Sequence, residues 1–409
     1  MKWISLVSLL ALVVGQARAE FALKDGDTVV FLGDSITAAR GYSKIIENYS
    51  ILRFPERRIH FINAGVGGDT AYGSLQRLER DVFSKKATVL TVAFGINDIK
   101  WGVAADEEHR QLYLAGIRRI VEESQKRHIR VFICSPAITN EDPNKAEVGY
   151  LQRMVDDGLA LARFLGAETI DVQRGMRTIQ RRVLAANEND PKNKTTLHVS
   201  DGVHLNDLGQ LAMGFTILKG LGAPAEVSNV SIDAASGQLL DATHCKVEHI
   251  KSLHNRELTF TRTDKGLPLS LGILGALNYR FIPIPDELNQ YGLTIKNLPA
   301  GNYTIAAESR SLGKISAEEL QKGLNIASMT TNGWEPGGPW DVQANTLIEL
   351  TDSRDKEWQS GVVRSRFLPQ HPDNQSILRK TRKLDDELTN LQRAISKPYP
   401  YHFQIKKVD

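Results

Sequence analysis

Cysteine is almost missing from this chain: Cys134 and Cys245 are the only two in 409 residues. That excludes a scaffold built on disulfides and leaves hydrophobic packing to carry the fold. One bridge, Cys134 to Cys245 across the two halves, is the most the composition permits, whereas Cys134 inside the apolar run Val131-Phe132-Ile133-Cys134 reads as a buried core thiol. An excess of one charge is missing too. The 51 Lys and Arg nearly balance the 48 Asp and Glu, leaving a formal charge of +3, which argues against a nucleic-acid partner. No P-loop of the form G-x-x-x-x-G-K-[ST], no internal repeat and no low-complexity tract occurs. Beyond the amino terminus no apolar run is long enough to span a membrane.

That terminus has its own pattern. Lys2 precedes the mostly apolar run Trp3 to Val14, and Ala17-Arg18-Ala19 supplies an A-x-A cleavage site. Residues 1–19 therefore read as a signal peptide, with the mature chain starting near Glu20, a secreted or periplasmic location, and no membrane span once the leader is gone. What remains, about 390 residues, exceeds what one hydrophobic core usually serves, so at least two domains are expected.

The first half alternates strands and helices. Thr28 to Leu32, Arg58 to Asn63, Ala87 to Phe94, Ile129 to Cys134 and Glu168 to Val172 read as strands. Helical patterns fall between them, near Glu107 to His128, Ala146 to Leu165, Thr178 to Asn187 and Leu208 to Leu221. Five parallel strands with right-handed crossovers give an α/β, three-layer, flavodoxin-like domain over residues 20–225, ending near Gly222-Ala223-Pro224. Beyond that boundary Leu258 to Arg262, Tyr291 to Lys296 and Tyr303 to Ala306 alternate in the manner of hairpins. Residues 226–330 are therefore expected to form a smaller antiparallel β module. Ser316-Ala317-Glu318-Glu319 has the form of a capping box. From about Asp341 the pattern turns helical, and residues 331–409 are expected to be mostly helical, with the strongest helix from Ile377 to Ile395.

Chemistry concentrates in the first half. Gly33-Asp34-Ser35-Ile36 follows the first strand, so Ser35 is expected at the carboxyl edge of the sheet, where open α/β sheets place their sites. A serine hydroxyl needs an imidazole to take its proton and an acid to hold that imidazole; Asp201-Gly202-Val203-His204 offers both. Ala64-Gly65-Val66-Gly67-Gly68-Asp69-Thr70 follows the second strand, and its glycines let backbone N–H groups approach a reacting oxygen. The third strand runs into Gly95-Ile96-Asn97-Asp98. In isolation, Asp34-Ser35 is no more than a helix cap.

Other templates fit less well. An α/β-hydrolase elbow needs a second glycine where Thr37 stands, and a dinucleotide loop needs a spacing that Gly65 to Gly68 lack. His198, Asp201 and His204 have metal-compatible side chains, yet their spacing matches no zinc signature and a metal would occupy the proposed base, so no metal is assigned. His244, His249 and His254 recur every five residues, on neither one strand face nor one helix face, and read as surface histidines.

With Ser35, Gly68, Asn97 and His204 in this order, the chain resembles the SGNH (GDSL-type) hydrolase family over roughly residues 25 to 222. The resemblance implies Ser35 as nucleophile, His204 as base and Asp201 as its orienting acid. It implies an oxyanion hole from the Ser35 and Gly68 N–H groups and the Asn97 side chain. It implies no cofactor. The substrate expected is a short-chain ester, acetyl above all, carried on carbohydrate or another small molecule. A lipid esterase, lysophospholipase or thioesterase is the rival enzyme, and a carbohydrate-binding protein without activity the rival outside enzymes. Trp101, four residues after Asn97, is a candidate substrate contact at the mouth of the site. Trp334, Trp340 and Trp358 are candidates for a sugar-stacking platform in an accessory second half, with core packing as the alternative.

Overall fold

Val29, Val30, Phe31 and Leu32 are all buried, so the first strand is covered on both faces, as a strand inside a parallel α/β sheet must be. In the computed structural model, which describes residues 20–253 and 256–408, this is β1 (Thr28–Gly33). The leader read at residues 1–19 and His254 lie outside the described residues; His244 and His249 are exposed, as expected. β2 (His60–Gly65), β3 (Val89–Ala93), β4 (Arg130–Cys134) and β5 (Glu168–Ile170) complete a five-stranded sheet in the order β2-β1-β3-β4-β5, every pair parallel. The order reverses between β1 and β3, and the carboxyl ends of those two strands are where such sheets open a crevice.

Helices flank the sheet as the apolar stripes require: α1 (Ser35–Ala38), α2 (Gly41–Arg53), α3 (Glu107–Gln125), α4 (Tyr150–Phe164), α5 (Val172–Asn189) and α6 (Asp207–Gly220). Tyr113, Ile117, Ile120 and Val121 of α3 form the buried stripe their spacing predicts.

After Gly222 the topology changes. β6 (Glu226–Asp233), β7 (Gln238–Thr243), β10 (Gln290–Lys296) and β13 (Leu324–Asn325) form a sheet ordered β13-β10-β6-β7, with one parallel pair, β6 with β10, among antiparallel ones. β8 (Cys245–Leu253), β9 (Glu257–Asp264), β11 (Asn302–Ala307), β12 (Arg310–Ser316) and β14 (Tyr401–Val408) form a second, all-antiparallel sheet ordered β12-β11-β14-β9-β8. The capping box at Ser316 is present. Helices α7 (Pro339–Trp358) and α8 (Asn374–Ser396) occupy the region expected to be helical, but that region ends in a strand. β14 sits at the middle of its sheet, with Tyr401, Phe403 and Ile405 buried and His402, Gln404 and Lys406 exposed between them.

Both thiols are free: Cys134 is buried in β4, and Cys245 opens β8 with Sγ directed to the Asn229 carbonyl. α7 and α8 lie against α2 through charge and hydrogen bonds. Arg40 Nη1 meets Asp355 at 2.5 Å, Lys44 meets Asp352 at 2.5 Å, and Arg354 bridges Glu47 at 2.6 Å and Asp385 at 2.7 Å. A cavity of about 250 Å³ lies between these helices and the β2 edge, walled by Phe31, Phe61, His60, Arg40, Arg354 and Trp358.

Candidate active site

Gly65 ends β2 against the last residues of α1. A Cβ there would lie 2.2 Å from the Ala38 nitrogen and 2.6 Å from the Thr37 carbonyl carbon, so only glycine lets strand and helix come this close. Asp34 caps α1, accepting from the Ile36 N–H at 2.9 Å, and burial pushes its carboxyl up to about 6. Its role is local, as the sequence suggested, and Ser35 is presented at the first position of the helix.

Ser35 Oγ lies 2.8 Å from His204 Nε2, and His204 Nδ1 lies 2.6 Å from Asp201 Oδ2. The other carboxylate oxygen accepts from the Val203 and His204 N–H groups at 2.8 and 2.9 Å, so one side chain straps its own turn while holding the ring. The hydrogen bond from His204 leads the influences that draw the Asp201 carboxyl down to about 2. An ionised Asp201 requires the imidazole proton on Nδ1 and leaves Nε2 as an acceptor for the serine hydroxyl. The segment is anchored from below: the Asn140 N–H donates to the Gly202 carbonyl at 2.7 Å, and buried His198 donates Nε2–H to the Ile138 carbonyl at 2.8 Å. Among the described residues no group of three or more His, Cys, Asp or Glu comes together with the geometry to hold a metal ion.

The glycine loop after β2 faces the same serine. A Cβ on Gly67 would stand 4.0 Å from Ser35 Cβ, and Gly68 takes a left-handed backbone at φ +74°. Asn97 joins this loop, donating Nδ2–H to the Asp69 carbonyl at 3.1 Å. Trp101 is half exposed; its Nε1–H donates to Asn97 Oδ1 at 2.9 Å, and its ring centre lies 5.6 Å from that of His204, edge to face. Every site residue read from the sequence is therefore within one neighbourhood.

Two residues of that neighbourhood were not read from the sequence. Arg77 is buried and donates to the Gly33 and Ala64 carbonyls at 3.1 and 2.6 Å and to Asp69 at 2.6 Å, tying the ends of β1 and β2 to the glycine loop. Asp98 is buried beneath the loop, accepts from the Ala71 N–H at 3.0 Å, and is pushed up to about 7 by burial. Arg77 stands in no motif and declares itself only through its partners, while Asp98 closes the block Gly95-Ile96-Asn97-Asp98, which does not say what its carboxyl meets.

The tryptophan platform does not form. Trp340 is fully buried, donates to the Ala327 carbonyl at 2.9 Å and packs with Tyr291, Tyr401 and Phe403, so it is core, while Trp334 is exposed alone on its loop. The indole of Trp340 is needed to fill the space between the two later sheets.

Residues 31–212 match the model of the GDSL-like lipase/acylhydrolase family. The uncharacterized lipoprotein YqeF of Bacillus subtilis is 30% identical over 138 residues, covering 31% of this chain and 55% of that protein; the match thus spans about half the length of this curated relative. A gut microbial diltiazem-metabolizing enzyme superposes with a TM-score of 0.80 at 24% identity, over 94% of this chain and 98% of its own, so the fold is shared through both halves. An acetylxylan esterase from Geobacillus stearothermophilus aligns at 21% identity with a TM-score of 0.40, over 49% of this chain and 96% of its own. Residues 31–212, which hold Ser35, Gly68, Asn97, Asp201 and His204, thus resemble a hydrolase domain of the GDSL-like (SGNH) type.

Proposed function

We propose that this hydrolase removes short acyl groups, acetyl in particular, from carbohydrate through an acyl-enzyme on Ser35. Ser35 Oγ attacks the ester carbonyl as His204 Nε2 takes its proton; the oxyanion is held by the Ser35 and Gly68 N–H groups and the Asn97 amide. The tetrahedral intermediate collapses when His204 returns the proton to the leaving alcohol. A water deprotonated by His204 then releases the acid. Asp201 holds the ring in the tautomer this sequence of steps needs. The steps use side chains and backbone alone and call on no cofactor.

One observation carries the reading: the Ser35, His204 and Asp201 contacts at 2.8 and 2.6 Å form a continuous relay at the sheet edge. Its openness supports the substrate class. His204 and Asp201 are each 34% exposed and Trp101 stands half exposed beside them, which suits a bulky hydrated alcohol on the solvent side and a small acyl group against the glycine loop. Export fits the leader pattern and the lipoprotein among the relatives, and no helix among the described residues is long and apolar enough to cross a membrane.

The test is a series of p-nitrophenyl esters from acetate to palmitate, followed by acetate release from acetylated xylan. The expected result is fastest turnover on acetate, abolished by Ser35→Ala and reduced by roughly 10⁴-fold in His204→Ala, with Asp201→Asn losing as much or less. Preference for long acyl chains would replace the carbohydrate reading with a lipid esterase. Parent-like turnover in Ser35→Ala would remove the mechanism, and inactivity of the parent on every ester would leave a binding protein.

A further inference from the structure

Asn97 presents a problem that its residue type does not solve. The two ends of a carboxamide have nearly the same size, and only the nitrogen end stabilises an oxyanion; the oxygen end would set a lone pair against it. Two neighbours decide the matter here. An indole N–H can only donate, so the Asn97 atom 2.9 Å from Trp101 Nε1 must be Oδ1. A backbone carbonyl can only accept, so the atom 3.1 Å from the Asp69 oxygen must be Nδ2. Both contacts demand the same orientation, and they leave one Nδ2–H without a partner among them.

The indole is itself held by unusual backbone. Lys100 and Trp101, neither a glycine, lie at φ +46° and +58°, and Gly102 follows at +94°. Consecutive left-handed residues with side chains are costly and persist only where surrounding contacts impose them. The contacts are present: the Trp101 N–H donates to the Ile96 carbonyl at 3.0 Å, the Val103 N–H to Lys100 at 3.2 Å and the Ala104 N–H to Ile99 at 3.0 Å. The turn thereby aims one ring at two groups, its N–H at Asn97 and its edge or face at His204, with ring centres 5.6 Å apart at 72°.

We infer that Trp101 is a positioning residue of the oxyanion hole, fixing through its indole N–H which end of the Asn97 amide meets the reacting ester. The inference rests on the acyl-enzyme reading above and gives Trp101 a task different from substrate contact. A residue that acts through Asn97 has no effect when Asn97 is gone, whereas a substrate contact keeps its effect.

The experiment is a double-mutant cycle on p-nitrophenyl acetate with Trp101→Phe, Asn97→Ala and the pair, and Ser35→Ala as the blank. Phenylalanine keeps an aromatic ring on this turn but removes the N–H together with the second ring, so the comparison between the two Asn97 backgrounds, not the single variant alone, isolates the effect that passes through Asn97. Trp101 is half exposed, so melting temperatures should stay close to the parent's. The expected result is a fall in kcat of about tenfold for Trp101→Phe with KM nearly unchanged, and no further fall when the change is made in Asn97→Ala. Equal losses in both backgrounds, or a raised KM at constant kcat, would overturn the inference and leave the acyl-enzyme standing. If Ser35→Ala is dead and Asn97→Ala is unimpaired, the oxyanion assignment and this inference fall together while the nucleophile survives.

Discussion

Asp98 shows how a single buried carboxyl beside a reaction site makes itself measurable. An unfolded aspartate titrates near 3.8, whereas burial holds Asp98 protonated up to about 7 in the fold. Between those two values the folded chain binds the proton that the unfolded chain has lost, so stability from this group is present below 3.8 and declines as pH rises toward 7. Asp98→Asn cannot ionise and keeps an oxygen to accept from the Ala71 N–H. The melting temperature of the variant, relative to the parent, should therefore climb between pH 4 and pH 8; a constant difference would mean that Asp98 is already charged in the fold. The proposed chemistry and the family resemblance made Ser35, Asn97, Asp201 and His204 legible in the sequence, because few residue types suit each proposed task and their blocks follow strands or precede a helix. Arg77, Asp98 and the link from Trp101 to Asn97 were not legible in their roles. Arg77 meets the Gly33 and Ala64 carbonyls only where the sheet sets β1 beside β2, Asp98 meets the Ala71 N–H only once the chain beyond β2 and β3 is brought together, and the Trp101 contact depends on a left-handed turn that residue types alone do not announce.

Elements obey the same division. The five parallel strands were readable because burial on both faces turns each into an apolar run, as in Thr28 to Leu32. β14 was not, though Tyr401-His402-Phe403-Gln404-Ile405 alternates: it follows a helical stretch and Pro398 and Pro400, and its partners Phe260 and Ile305 lie far back in the chain. Where elements meet at the site, the contact is tight enough to be broken by one methyl group. Gly65→Ala would set a Cβ 2.2 Å from the Ala38 backbone nitrogen, and neither the β2 end nor α1 has a flexible side chain that can give way there. The expected outcome is a loss of roughly 1–3 kcal/mol or more in denaturant unfolding, together with a fall in kcat, because α1 carries Ser35 and must shift. A variant with parent stability and rate would show that α1 is free to move without displacing the nucleophile.

For the whole molecule, the issue is whether the catalytic half stands alone. About 390 residues lead one to expect separate domains. The sheet topology changes after Gly222, and the hydrophobic packing runs across that point. One hydrophobic cluster runs from Phe21, Tyr49 and Leu52 through Val227 and Tyr291 to Phe403 and Ile405. Arg53, buried in α2, donates to the carbonyls of Glu226 at 2.6 Å and Leu288 at 2.5 Å, and Thr351 donates to buried Asn48 at 2.6 Å. Cutting after Pro224 would strip these partners from α2, uncover Glu47 with the loss of Arg354, and open to water the apolar face that Tyr49 and Leu52 share with Val227 and Tyr291. The face so exposed belongs to the helix that follows Arg40, two residues beyond α1. A fragment of residues 20–224 is therefore expected to be poorly soluble and, where soluble, to lose activity on p-nitrophenyl acetate as well as on acetylated xylan. If the fragment instead folds and cleaves the small ester at the parent rate while failing only on the polymer, residues 226–409 are an accessory module for long substrates. Arg354→Met separates the two cases within the full chain: it breaks the pairs with Glu47 and Asp385 without removing either sheet. A lowered melting temperature with reduced kcat on the small ester would locate the dependence in the α2 face itself.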